Sequence, residues 1–432
     1  MRTFVRPATG TCTRLSLTVQ RFHILSQPVG LILYASVQWL LFVYFVDSGG
    51  FALGGDFALA QALCAPLFAF LSLSLRQVFV SGGVDGLTYT MILRLRLATT
   101  TIASLAIGLL LSAGAVDIAH GPLMAVTALK AIESLSDMLY ARIEASGRSP
   151  MVGMLLALRG IVLVALIGAA IAYDAPVASF TGVLITAAFL LLGVELSVAR
   201  QTGSADVESH SLVEPGLKAW LPAVLWLSIA NLVITLAGFV PRYALDFFST
   251  REAVGVFTAA SMPATALLLV ATGLAQGSLA DVGAAARGHD RAGFWRGVTR
   301  SVILAGGLCL AVALAVLLLG ESLVRLIDAE ATPELVVATG LVTLIYLPAL
   351  IAQVFSYSVL TLGTYRRLIP INLAALVAQC SLAAPLIRLD PVFGAALVAV
   401  IVPLVQIPLF WLRLRSHFGR VQVAGHPENR QR

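Results

Sequence analysis

Charge is scarce in this chain. Of 432 residues only 12% are Asp, Glu, Lys or Arg, about half the roughly 25% of a typical soluble protein. With 59% apolar residues and a mean hydropathy of +0.94, the composition excludes a water-soluble globular enzyme, a nucleic-acid-binding domain, a collagen-like chain and a disordered tail. Lysine is nearly absent, at 130 and 218 only, so the pI near 9.4 is a property of arginine. The arginines lie between apolar segments, where membrane topology explains them better than a nucleic-acid partner does. The four cysteines (12, 64, 309 and 380) are far apart and form no CxxC, which leaves neither a disulfide framework nor a zinc site. No two of the six histidines stand at HxxH or HxxxH spacing, so no metal or other cofactor is expected. A GxxxxGK[ST] loop and a nucleophile elbow are also missing, and the chain is not expected to hydrolyse ATP or to act as an enzyme.

What the sequence has is long runs that are uncharged or nearly so. A bilayer core about 30 Å thick needs roughly 20 apolar residues in a helix. Twelve such runs occur, near 29–46, 57–75, 97–114, 121–141, 152–172, 177–198, 220–240, 256–276, 301–319, 335–359, 369–387 and 392–412. When bases are assigned to alternating sides, one side collects 22 of the 28 and the other four, with Lys130 and Arg159 inside spans. The positive-inside rule then places both termini in the cytoplasm. The expectation is an all-α membrane protein of about 12 transmembrane helices in two six-helix lobes. Its divisions would be a cytoplasmic tail at 1–28, lobes at 29–215 and 216–412, and a second tail at 413–432. Arg14 to Leu25 suits either a short interfacial helix or a mobile tail.

An internal repeat supports two related lobes. Gly55-Asp56-Phe57-Ala58-Leu59-Ala60 and Gly255-Val256-Phe257-Thr258-Ala259-Ala260 stand 200 residues apart, and each precedes a proline within its helix, Pro66 and Pro263. A weaker echo joins Gly147-Arg148 to the stretch from Gly363 to Arg367. With six spans in each half, the repeat is parallel, about an axis along the membrane normal.

Three further segments carry a family likeness. They are Tyr140-Ala141-Arg142-Ile143-Glu144-Ala145-Ser146-Gly147-Arg148, then Pro241-Arg242-Tyr243 leading to Glu252-Ala253-Val254-Gly255-Val256-Phe257, and Asp390-Pro391-Val392-Phe393-Gly394-Ala395-Ala396. Together with Gly55 to Leu59 they resemble the polysaccharide (O-antigen and exopolysaccharide) flippases of the multidrug, oligosaccharidyl-lipid and polysaccharide exporter superfamily. The resemblance implies a transporter that moves a polyprenyl-diphosphate-linked oligosaccharide across a bacterial inner membrane by alternating access. A polysaccharide polymerase or glycosyltransferases would be its working partners. A cation-coupled multidrug exporter of the same superfamily is the nearest alternative, and a membrane-embedded polymerase or ligase acting on lipid-linked sugars is another.

Intramembrane charge singles out candidate residues, because each such group costs at least about 2.5–3.5 kcal/mol to insert. Lys130, Glu133 and Asp137 share one face of a helix at i, i+3 and i+7. Arg159 lies about 12 Å deep in the next helix, within reach of Asp137 or Glu133. Two readings stand side by side. In one, Lys130 and Arg159 face a hydrated cavity and bind an anionic head group, with Glu133 and Asp137 tuning them or carrying a coupling proton. In the other, the same residues only pair to fix packing. Glu195 is expected to snorkel to the cytoplasmic end and to be structural. Gln38, Gln61, Asn231, Gln353 and Tyr357 are candidate sugar contacts, and Arg76 and Arg242 are candidate gates at opposite membrane faces.

Overall fold

The structure, a computed structural model, describes residues 14–80, 88–146, 148–202, 217–287, 290–324, 333–360 and 368–424. The stretch from Gly363 to Arg367, and Gly147, lie outside the described residues. Among those described there are thirteen α-helices and no strand. They are α1 (Arg14–Leu71), α2 (Leu75–Val80), α3 (Tyr89–Ser112), α4 (His120–Ala145), α5 (Ser149–Ala172), α6 (Val177–Thr202), α7 (Leu217–Phe248), α8 (Arg251–Arg287), α9 (Arg291–Val324), α10 (Pro333–Ile345), α11 (Leu347–Leu360), α12 (Leu368–Leu389) and α13 (Pro391–Ala424).

Twelve membrane crossings emerge from these helices. The apolar part of α1, Gly30–Leu71, has 42 residues, roughly 63 Å of helix or twice the bilayer core. It breaks at Gly49 and Gly50. The second has φ 69° and ψ −175°, a conformation open essentially to glycine alone. The helix itself runs from Arg14, through the stretch expected as either an interfacial helix or a mobile tail. Nine other apolar stretches are long enough to cross. One of these, Leu335–Val359, joins α10 and α11 across a break at Tyr346, just before Pro348, whose missing N–H cannot continue the ladder. The remaining crossing is α4, whose charges hide it from hydropathy.

Local sequence sets the helix starts. Thr88, Thr250, Asp290 and Asp390 each accept a backbone N–H three residues on, at 3.3, 3.2, 2.9 and 2.8 Å, the N-cap geometry that satisfies an orphan donor. Asp390 is followed by Pro391 at the first helical position. Gly394 then lets α13 turn back on α12, for a Cβ there would overlap the Leu386 carbonyl.

Helices α1–α6 form the amino-terminal lobe and α7–α13 the carboxyl-terminal lobe, and the two meet mainly where α1 packs on α7 and α8. At that seam the repeat meets its own image. A Cβ on Gly55 would overlap the Arg251 carbonyl, and one on Gly255 would overlap the Phe51 carbonyl. The apolar cores interlock in the same reciprocal way. Ala259 of α8 packs into the amino-terminal core around Phe42, Phe45 and Phe57, while Ala58 and Leu59 of α1 pack into the other lobe beside Val254 and Phe257. Small residues permit such close backbone approach inside a membrane, where dispersion and not solvent exclusion drives helix association.

Replacing Gly255 with Leu should force the lobes apart at this crossing and lower stability by about 1–3 kcal/mol. Gly238→Ala, where an added Cβ meets nothing, should leave it unchanged. Thermal unfolding of both variants in detergent checks this.

Candidate functional site

The polar residues of α4 form a spine through the amino-terminal lobe, and each neighbouring helix supplies a partner. At its outer level Lys130 Nζ donates to Glu133 Oε2 at 2.7 Å, and the Tyr34 hydroxyl of α1 donates to Glu133 Oε1. These three side chains, with Gln38 and Gln61, line a cavity of about 10 Å³, room for about one water molecule. Four of the residues singled out from sequence, Gln38, Gln61, Lys130 and Glu133, thus converge on one small chamber whose other walls are apolar, among them Val37, Leu41 and Phe57.

One level deeper, Arg159 of α5 donates to Glu195 Oε2 of α6 at 2.9 Å and to Ser136 Oγ at 2.6 Å, and Tyr140 donates to Glu195 Oε1 at 2.6 Å. Arg159 and Glu195 are both about 2% exposed. The partner of Arg159 is therefore Glu195, not Asp137 or Glu133, and Glu195 does not snorkel. Its position seven residues before the end of α6 puts it roughly 10 Å deep, level with Arg159, a match of depths that was readable in advance. The Arg159 guanidinium also lies 5.8 Å from the Tyr34 ring centroid, which couples this level to the chamber above.

At the cytoplasmic level, Arg76 of α2 donates to Asp137 at 2.7 Å and to both carboxylate oxygens of Glu144 at 2.7 and 3.3 Å. Arg96 of α3 donates to the other Asp137 oxygen at 3.2 Å and to the Ser134 carbonyl at 2.8 Å. Arg76, expected as a gate, thus bonds α2 to α4 of its own lobe. Arg96, one of the 22 bases on the side assigned to the cytoplasm, is 4% exposed. Its depth near the helix end concealed it.

The carboxyl-terminal lobe is built differently. Gln353 donates to Thr272 Oγ1 at 3.0 Å, Gln406 to Asn372 Oδ1 at 2.7 Å, and Gln379 to the Val398 carbonyl at 3.0 Å. Tyr357 packs on the apolar cluster around Leu350 and Val354. These are neutral interhelical bonds. Near the seam, Arg242 sits 5.3 and 6.0 Å from the Phe239 and Phe257 ring centroids and donates at 3.4 Å to Thr258. Among the described residues Arg242 forms no ion pair.

Among the described residues, Asn231, Tyr243 and Arg251 make polar contacts across the seam itself. Asn231 donates to Ser74 Oγ at 2.8 Å, and the Tyr243 hydroxyl donates to the Ala62 carbonyl. Arg251, at the start of α8, reaches Asp56 at 3.1 Å and Asp117 at 3.8 Å in the other lobe, and Asp246 at 2.9 Å in its own. It also donates to the Asp117 carbonyl. Asn231 is thus a lobe-to-lobe contact here, and Arg251 is a cross-lobe tie that sequence reading counted only as outer-side charge. No group of three His, Cys, Asp or Glu among the described residues is arranged to hold a metal.

The sequence matches no family model and no curated protein. The fold does have solved counterparts. A MOP superfamily transporter from Pyrococcus furiosus aligns over 93% of this chain and 96% of its own at TM-score 0.65 and 16% identity. An outward-facing multidrug resistance MATE family transporter of that superfamily aligns over 91% and 96% at TM-score 0.66 and 15% identity. A Vibrio cholerae MATE transporter in its bent form aligns over 94% and 98% at TM-score 0.62 and 14% identity. The chain therefore has the two-lobed, all-helical fold of MOP superfamily transporters. The narrower likeness to polysaccharide flippases is not what these neighbours carry.

Two variants probe the geometry. Glu195→Ala leaves Arg159 buried and uncompensated and should cost about 3–5 kcal/mol, whereas replacing both partners by Met and Leu should recover most of that loss; thermal unfolding in detergent reads the difference. Arg251→Ala should favour separation of the lobes at the outer end by roughly 1–2 kcal/mol, a five- to thirtyfold shift. The readout is the rate at which an impermeant maleimide labels Cys introduced at Ala58, which is 1% exposed.

Proposed function

We propose that this chain is a secondary transporter of a bacterial inner membrane that carries an anionic amphiphile, of the polyprenyl-diphosphate-linked oligosaccharide class, by rocking its two lobes. The observation that carries the reading is electrostatic. The intramembrane acids Glu133, Asp137 and Glu195 are each neutralised by a base on a neighbouring helix or turn, while Arg242 beside the seam has aromatic rings and a hydroxyl around it. A guanidinium in a low-dielectric place without a counterion favours an incoming phosphate. Arg242 therefore takes the role first considered for Lys130 and Arg159, and the Glu133 chamber is left for coupling to a proton or other ion. Transport of this kind makes and breaks no covalent bond. A polymerase and glycosyltransferases would consume and supply the cargo.

A second reading, a cation-coupled multidrug exporter, is favoured by the MATE neighbours of the fold. The reported reversed polarity of the Pyrococcus furiosus protein's binding pocket supports the idea that one scaffold serves cargoes of either sign.

In proteoliposomes, Arg242→Gln should slow movement of a fluorescent lipid-diphosphate oligosaccharide roughly ten- to hundredfold, the worth of a charge-assisted contact, and Arg242→Lys should retain part of the rate. Efflux of a lipophilic cation such as ethidium, with no movement of the lipid-diphosphate in wild type, would decide for the exporter.

A further inference from the structure

Helix α9 begins at the side of the membrane that the distribution of bases marks as cytoplasmic, and its two faces differ sharply. Phe294, Val298, Ser301, Ala305 and Cys309 are buried against the lobe. The opposite face is exposed, with Arg296, Thr299 and Arg300 in its first turns and Ile303, Leu304 and Leu308 directly below. Trp295 sits beside them, its ring edge-on to Phe294 at 5.8 Å. A groove of about 510 Å³ opens here, lined among the described residues by Trp295, Arg296, Thr299, Arg300, Ile303 and Leu304.

We infer that this groove holds one anionic glycerophospholipid of the cytoplasmic leaflet. The order of chemistry along the helix is that of the lipid. Two guanidinium groups one turn apart, with a hydroxyl between them, present donors for a phosphodiester. Arg296 and Ile303 are separated by roughly 10 Å of helix, the passage from head group to acyl chain. Ile303 and Leu304, 66% and 49% exposed, offer that chain a continuous apolar strip, and an indole at this level suits the interface. Asp290, the nearest acid on this helix, is held as the N-cap by the Gly293 N–H at 2.9 Å. Among the described residues neither arginine forms an ion pair. Basic recesses on the cytoplasmic side of transmembrane helices recognise anionic head groups by this combination of charge and shape. The site lies on the outer face of α9, and the assignment stands whatever the cargo.

Native mass spectrometry of the full chain, with dioleoyl phosphatidylglycerol and dioleoyl phosphatidylcholine offered together, tests it. Wild type should retain one phosphatidylglycerol with a roughly ten- to thirtyfold preference, in line with two interfacial arginines. The double substitution Arg296→Gln with Arg300→Gln should abolish the preference without lowering the unfolding temperature, since both side chains are exposed. Ile303→Asn with Leu304→Asn should weaken retention of phosphatidylglycerol while keeping both charges. Equal retention of the two lipids by wild type, a preference that survives loss of both arginines, or displacement of phosphatidylglycerol by millimolar inorganic phosphate would each overturn the assignment. The last result would mark a site for a free anion.

Discussion

A charge inside a bilayer is costly unless it is paired, and the amino-terminal lobe is arranged so that its charges are. Helix α4 carries Lys130, Glu133, Asp137 and Glu144, which no lipid-facing helix would tolerate. Arg96 of α3 and Arg76 of α2 meet its lower acids, Tyr34 of α1 meets Glu133, and the Arg159–Glu195 pair joins α5 to α6 beside Ser136. Every element of the lobe is thereby fixed relative to one polar helix. Such networks contribute little net stability compared with apolar packing, but a broken one is costly. They therefore specify a single arrangement.

Among the described residues no comparable series of ion pairs runs through the other lobe. Its polar bonds are neutral, it contains the interrupted crossing α10–α11, and the charged Arg242 leans on aromatic faces. The seam contacts at Arg251, Tyr243 and Asn231 join the two lobes at three levels.

Much of this was legible in the chain. The apolar runs, 121–141 of α4 among them, indicate about twelve helices in two lobes, and the alternation of bases agrees with that count. The 200-residue echo marked Gly55 and Gly255, the positions where the lobes touch. What stayed hidden depends on the rotation of helices about their axes and on which of them adjoin. Depth alone placed Arg159 near Asp137, but the packing of α6 on α4 brought Glu195 to it instead. The same ignorance of neighbours hid the protein partners that Arg76, Asn231 and Gln353 have here. Degenerate motifs such as Asp390-Pro391 reflect helix capping as much as descent, which is why they point to a superfamily's fold more securely than to one branch of it.

The crossing of α1 and α8 has one more implication. Phe51 faces Gly255 and Arg251 faces Gly55, the exchange of partners found where two identical subunits meet on a twofold axis. Each half thus keeps a self-complementary surface. The present seam has the form of a homodimer interface now tethered within one polypeptide, and either half made alone would present that adhesive edge to a copy of itself.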